Sequence, residues 1–249
     1  MKWSRYPAIM AILVLGMAAY APGARAITPI TQCTTITQPG SYIVVQNLVA
    51  AGDCLVVAAD FVSIHLAGSL LIGNGTGTGI RDSGLRKGIT IHDGTITHFL
   101  AGLRFCGQGS IQILVERMRV IDNTNDGIAL CDGMAIVKDT ISSGNSQGIF
   151  AGPRSVVTGN TASNNQLLGI QFGEGSTVTG NTADNNGNTG LSGGAGAGST
   201  IVNNTMRSNT LFGLLVACPS NLIENTATNN GTNFLLLGAG CNSSNNVAP

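Results

Sequence analysis

The stretch Val157-Thr158-Gly159-Asn160-Thr161-Ala162-Ser163-Asn164-Asn165 returns 21 residues later as Val178-Thr179-Gly180-Asn181-Thr182-Ala183-Asp184-Asn185-Asn186. The same offset runs through most of the chain. Gly-hydrophobic steps at Gly102-Leu103, Gly127-Ile128, Gly148-Ile149, Gly169-Ile170, Gly190-Leu191 and Gly213-Leu214 are spaced by 25, 21, 21, 21 and 23 residues. A second column holds Asp139, Asn160, Asn181, Asn204, Asn225 and Asn246, and a third holds Asn165, Asn186, Asn209 and Asn230. Three columns sharing one period mark a repeat array.

Each period contains three short β-rich runs separated by turns. No window carries apolar residues at the i, i+3, i+4, i+7 spacing of a helix. Three strands and three turns make a triangular coil, and stacked coils pair each strand with its equivalents about 4.8 Å above and below. The predicted inward columns are Ile136, Val157, Val178, Ile201, Leu222 and Ala162, Ala183, Met206, Ala227. The asparagines Asn160, Asn181, Asn204 and Asn225 are predicted to form a ladder of side-chain amides along the axis, at turns whose left-handed backbone Asn tolerates. Leucine-rich repeats share the period but need an L-x-x-L-x-L pattern and a helical segment, and neither is present. No six-residue period supports a left-handed hexapeptide solenoid.

Composition agrees. Glycine supplies 35 of 249 residues and charged residues only 10%. A hydrophobic fraction of 43% is too high for a disordered chain, and glycine lacks the three-residue period of collagen. A net charge of zero argues against a broad nucleic-acid surface.

The repeated Gly-Ile-x(n)-Val-x-Gly-Asn-Thr-Ala-x-Asn-Asn units resemble those of the right-handed parallel β-helix proteins, the pectin-lyase-like superfamily, within the set shared by carbohydrate-binding proteins and sugar hydrolases. Cys33-Thr34-Thr35-Ile36-Thr37-Gln38-Pro39-Gly40-Ser41-Tyr42 resembles the first coil of exported members, and Val62-Ser63-Ile64-His65-Leu66-Ala67-Gly68 with Gly77-Thr78-Gly79-Ile80 the next. The resemblance implies an all-β fold, a single-stranded right-handed parallel β-helix of about nine or ten coils. It leaves activity open, because the fold hosts lyases, hydrolases, epimerases and non-enzymes.

Residues 1–26 read as a signal peptide: Lys2 and Arg5, an apolar run from Ala8 to Ala19, then Ala24-Arg25-Ala26 as a cleavage site. An uncleaved anchor is the competing reading, although the run falls short of the roughly 20 residues a span needs. Residues 27–249 are then the β-helix domain, secreted or periplasmic, with no later membrane span. Its six cysteines suit an oxidising compartment. The gaps Cys33–Cys54, Cys106–Cys131 and Cys218–Cys241 are 21, 25 and 23 residues, each about one coil, which predicts these three disulfides. Buried free thiols are the alternative, chiefly for Cys106 and Cys131.

Residues 79–139 carry 14 of the 21 charges that remain after cleavage. Aligning Ile91, Leu114 and Ile136 on adjacent coils puts Asp93, Glu116 and Lys138 in one column, with Arg117 beside Asp139 in the next. The weak catalytic candidates are His92, Asp93, Glu116, Arg119, Asp122, Asp126 and Lys138. A lyase would need such a base and a cation to hold the developing negative charge. Solvated inter-coil ion pairs worth about 0–1 kcal/mol each are the plainer reading. Relatives similar to polygalacturonases carry a paired Asp-Asp and a Gly-His-Gly, both missing here, and Asn123-Thr124-Asn125-Asp126 only partly matches their Asn-x-Asp. His92-Asp93 is a fragment of the Asp-Pro-His-Asp of epimerase-like members. No resident cofactor is expected, with calcium admitted only under a lyase reading through Asp122, Asp126 and Arg119. His65, His92 and His98 are scattered, so no metal site is expected either.

The column Thr140, Thr161, Thr182, Thr205, Thr226 is predicted to face outward, followed by Ser142, Ser163, Asp184, Arg207 and Thr228. That second column is too irregular for an ice-binding face, and Thr is in any case a good exposed strand residue. The expected role is a non-catalytic carbohydrate-associated scaffold or binding module, with a polysaccharide or glycan surface as partner. A secreted lyase or hydrolase of acidic glycans is the alternative.

Overall fold

The computed structural model describes residues 27–107, 109–194 and 196–248. The predicted signal peptide, residues 1–26, lies outside them. Among the described residues every element is a β-strand, and no helix is long and apolar enough to cross a membrane. All strand pairs are parallel, joining segments about one coil apart into a 10-stranded and an 18-stranded sheet. The larger sheet folds around a corner, so the solenoid presents three faces over ten coils. One coil shows the plan: Val156–Thr158 on the first face, Thr161–Ser163 on the second, Ile170–Phe172 on the third.

Side chains alternate across each strand, so one residue in two enters the core. On the third face Leu55, Ile80, Leu103, Ile128, Ile149, Ile170, Leu191 and Leu214 stack in register, each essentially fully buried. Burial of one such side chain contributes about 1.5–3 kcal/mol. The second face supplies the small predicted column Ala162, Ala183, Met206, Ala227, also fully buried. Phe99, Phe105 and Phe172 fill the remaining volume.

From Asp139 to Asn230 the corners obey one rule. A residue in the left-handed region turns the chain, and the next residue points a polar side chain inward. Nearer the N-terminus Asp93, His98, Arg117 and Met134 turn the chain before Gly94, Phe99, Met118 and Ala135. At the first corner Gly159, Gly180, Asn203 and Glu224 have φ of 67°, 65°, 53° and 55°, and Asn160, Asn181, Asn204 and Asn225 follow them. The ladder asparagines therefore sit one position after the left-handed residue, which corrects the expectation that they adopt it themselves. Asn181 is typical. Its Oδ1 accepts from the backbone N–H and Nδ2 of Asn160 at 2.9 and 3.0 Å, and its Nδ2 donates to Asn204 Oδ1 at 2.9 Å and to the Val157 carbonyl at 2.9 Å.

A second ladder at the next corner runs Asn123, Asn145, Asn165, Asn186, Asn209, Asn230, two coils longer than predicted. At the third corner the backbone N–H groups of Ser155, Ser176 and Ser199 each donate to the hydroxyl of the serine one coil on. The repeat glycines belong to the second ladder. A Cβ on Gly169, Gly190 or Gly213 would lie 2.7 Å from the Nδ2 of Asn186, Asn209 or Asn230. Glycine is the residue that leaves room for the amide.

Four column assignments need correction, and all follow from one turn. Between Leu130 and Ile136 the chain spends five residues, against four between Ala151 and Val156. The offset across the first two faces is therefore 20 rather than 21 at this coil. Val137, not Ile136, pairs with Val157, and Ile136 is 41% exposed. Thr140, not Asp139, takes the ladder place, its N–H donating to Asn160 Oδ1, so it is buried rather than outward. Ile141 instead heads the column Thr161, Thr182, Thr205, Thr226. Ser142 pairs with Ala162 and is buried, and Ser143 takes its expected outward place.

The three predicted disulfides are present, with Cα–Cα distances of 4.4, 4.8 and 4.9 Å for Cys33–Cys54, Cys106–Cys131 and Cys218–Cys241. The first and last tie terminal coils to their neighbours, where strand edges are otherwise open to pairing.

Candidate functional site

On the first face the outward register runs Ile43, His65, His92, Glu116, Lys138, Thr158. A charged block thus sits in a column that is neutral at both ends. The corner beside it places Asp93, Arg117 and Asp139 in left-handed conformations with φ of 61°, 50° and 52°. Asp93 therefore leaves the Glu116 column, where the sequence alignment put it, and His92 replaces it. Val115 rather than Leu114 pairs with Ile91. The strand Ile111–Ile121 continues around the corner through Arg117, which places Glu116 and Arg117 outward in succession.

These side chains form one network. Arg117 Nε donates to Asp93 Oδ1 at 2.7 Å and its Nη2 to Asp93 Oδ2 at 3.1 Å, while Nη2 also lies 3.0 Å from Glu116 Oε1. Lys138 Nζ lies 2.7 Å from Glu116 Oε2. His92 Nδ1 is 2.6 Å from Asp93 Oδ2, and His65 Nε2 is 3.5 Å from the same oxygen. The His65 and His92 rings stack with centroids 4.6 Å apart, tilted by 10°. Hydrogen bonds from Arg117 and then His92 hold the Asp93 carboxyl well below the usual carboxylate range. Lys138, and after it Arg117, lowers Glu116 against a partial desolvation effect.

The other candidates lie elsewhere. Arg119 is exposed on the second face, Asp122 occupies the second corner with φ of 54°, and Asp126 opens the third-face strand Asp126–Leu130. Burial pushes Asp126 up, against the opposing charge of Arg104, whose Nη1 lies 3.1 Å from Asp126 Oδ2. Arg104 in turn lines a third-face depression of about 220 Å³ with Arg81, Asp82, Cys106 and Gly107.

The sequence reading missed His65 as a partner of His92, treating the histidines as scattered. The repeated dipeptides Ile64-His65 and Ile91-His92 were the signal, because an identical inward-outward pair on neighbouring coils stacks like with like. Among the described residues, His65, His92 and Asp93 are the cluster that brings three potential metal ligands together.

Comparison with known proteins fits this architecture. A family model described as "Right handed beta helix region" matches residues 151–248. The chain is similar to the enzymatically active domain of tailspike protein 2 of bacteriophage CBA120, with 14% identity and a TM-score of 0.63 over 89% of this chain and 41% of that one. It is similar to the A-module of the mannuronan C-5 epimerase AlgE6 of Azotobacter vinelandii, with 16% identity and a TM-score of 0.50 over 84% of this chain and 70% of that one. The periplasmic alginate epimerase AlgG is 15% identical, with a TM-score of 0.51 over 77% of this chain and 58% of its own. The chain spans less than two thirds of the tailspike domain and of AlgG. No curated protein matches it in sequence. The fold is thus that of a right-handed parallel β-helix.

Proposed function

We propose that this is an exported carbohydrate-associated β-helix whose mature domain, residues 27–249, binds a glycan along the charged block of its first face without cleaving it. The observation that carries this reading is the saturated ion-pair network on an open sheet surface. Asp93 and Glu116 stay ionised and are oriented by Arg117 and Lys138. A general acid or base needs a pKa near the working pH, and both carboxyls are moved away from it. What the network offers instead is a planar array of acceptors and donors at strand spacing, suited to successive sugar hydroxyls. The three disulfides support export. Two of the structural neighbours are named as epimerases of mannuronan and of alginate, which supports a polysaccharide as the ligand class.

Asp126 favours a second reading, a polysaccharide lyase or hydrolase. It is a carboxyl raised by burial beside Arg104, as proton transfer near neutrality would require. One panel separates the two. The purified protein is incubated with neutral and acidic polysaccharides, and both retention and the appearance of shorter chains or unsaturated ends are followed. Binding requires retention without turnover, weakened at least tenfold in Arg117→Ala/Lys138→Ala. Turnover abolished by Asp126→Asn would install the enzyme reading, and absence of both retention and turnover would remove both.

A further inference from the structure

His65 and His92 are a pair that glycan binding does not require. They come from strands Val62–His65 and Lys87–Thr97 on successive coils, and parallel register sets one imidazole above the other. His65 Nε2 and His92 Nδ1 converge on a single atom, Asp93 Oδ2, at 3.5 and 2.6 Å. Three ligand atoms from three side chains lie within 4.8 Å of one another.

We propose that His65, His92 and Asp93 form a binding site for a first-row transition-metal dication, with zinc as the reference ion. Two imidazoles and one carboxylate suit zinc, copper(II) or nickel(II), whereas calcium and magnesium select oxygen donors. Metal–ligand distances of about 2.0–2.1 Å in a tetrahedral site set neighbouring ligand atoms about 3.3 Å apart. The His65–Asp93 separation already lies close to this. Binding lengthens the shorter His92–Asp93 contact. It also turns the partly exposed His65 ring out of its stack on His92, because parallel imidazoles cannot both aim an in-plane lone pair at one ion. Arg117 grips both oxygens of Asp93, as an outer-shell partner does when it fixes a ligand.

The surrounding charge accepts a cation. Asp93 and Glu116 offset Arg117 and Lys138, while Ile43 and Thr158, the outward residues on the coils before His65 and after Lys138, are neutral. The His65 and His92 side chains remain 41% and 20% exposed, so a fourth position opens to water and the ion exchanges with solvent. This site shares Asp93 and Arg117 with the glycan reading but needs neither a sugar nor Lys138.

Calorimetric titration of the intact disulfide-bonded protein with zinc chloride, and separately with calcium chloride, tests it. One zinc site is expected, with calcium at least 100-fold weaker. The chain holds three histidines, His65, His92 and His98, so nitrogen-detected NMR of the unaltered protein should move two imidazole spin systems on zinc addition and leave the third. His65→Gln and His92→Gln should each weaken zinc at least tenfold while far-ultraviolet dichroism stays unchanged. Absence of zinc binding, equal calcium binding, full affinity in His65→Gln, or movement of the His98 ring alone would each overturn the proposal. Glycan retention measured in chelator reports on the other reading independently.

Discussion

Replacing Asn181 by alanine tests whether the ladders hold the solenoid together. The side chain is 1% exposed and makes bonds to three coils. Truncation leaves the backbone N–H and Nδ2 of Asn160, itself 1% exposed, without their acceptor. Asn204 Oδ1 keeps the N–H of residue 181 at 2.9 Å, so damage on that side is smaller. Each buried donor left unsatisfied costs about 1–3 kcal/mol, and the expected loss for the variant is about 2–5 kcal/mol. Urea unfolding followed by far-ultraviolet dichroism measures it as a lower midpoint. Two companions sharpen the test. Thr182→Ala, one residue on but on the outer surface, should stay within about 0.5 kcal/mol of the parent. Asn181→Asp keeps the shape and the acceptor but removes the donor to Asn204 and Val157, so it should be destabilised as strongly as alanine. A midpoint for Asn181→Ala equal to that of Thr182→Ala would refute the idea that the ladder bonds stabilise the fold.

Gly190→Ala puts a Cβ 2.7 Å from Asn209 Nδ2 and 2.8 Å from the Gly213 carbonyl, so thermal melting should register a loss of about 1–3 kcal/mol. Gly52→Ala meets nothing within 4 Å and should melt with the parent. Opening Cys218–Cys241, a 23-residue separation, with paired serine substitutions should lower the urea midpoint by the equivalent of about 3 kcal/mol. For pH, the Glu116 carboxyl is lowered on folding. Its contribution is fully present above the unfolded value near 4.3 and disappears as pH falls through the lower folded value, so the parent and Glu116→Gln should converge in stability in acid. Asp126, raised by burial, runs the other way. Its ionisation opposes folding, so the advantage of Asp126→Asn over the parent should shrink as pH falls through the raised folded value.

The repeat was legible because interior columns repeat by residue type: valine on valine, alanine on alanine, asparagine on asparagine. Cysteine pairing followed from the same count. What escaped was phase. One added residue in the turn before Ile136 shifted Val137, Thr140 and Ser142 by one place, and a period averaged over many coils cannot register a single insertion. The ionic network was half legible. Glu116 and Lys138 were paired, but Asp93 was assigned to the wrong column because its corner breaks strand alternation, and a left-handed residue cannot be recognised in an Asp or an Arg as it can in a glycine. Arg119, Asp122 and Asp126 are near in sequence, yet the second corner, held by Asp122 itself, sends Arg119 and Asp126 to different faces. The serine ladder went unseen because Ser155, Ser176, Ser199 and Ser220 are unremarkable one at a time.

At the first corner the left-handed position is held in turn by Asp93, Arg117, Asp139, Gly159, Gly180, Asn203, Glu224 and Asn245. Acidic, basic and neutral side chains occupy equivalent posts, while from Asp139 onward the inward neighbour does the bonding. Structure and chemistry are thus assigned to adjacent letters of the chain. A lineage can rewrite the outer letter on any rung without disturbing the inner one, so the row of corners works as a keyboard whose keys are set about 4.8 Å apart.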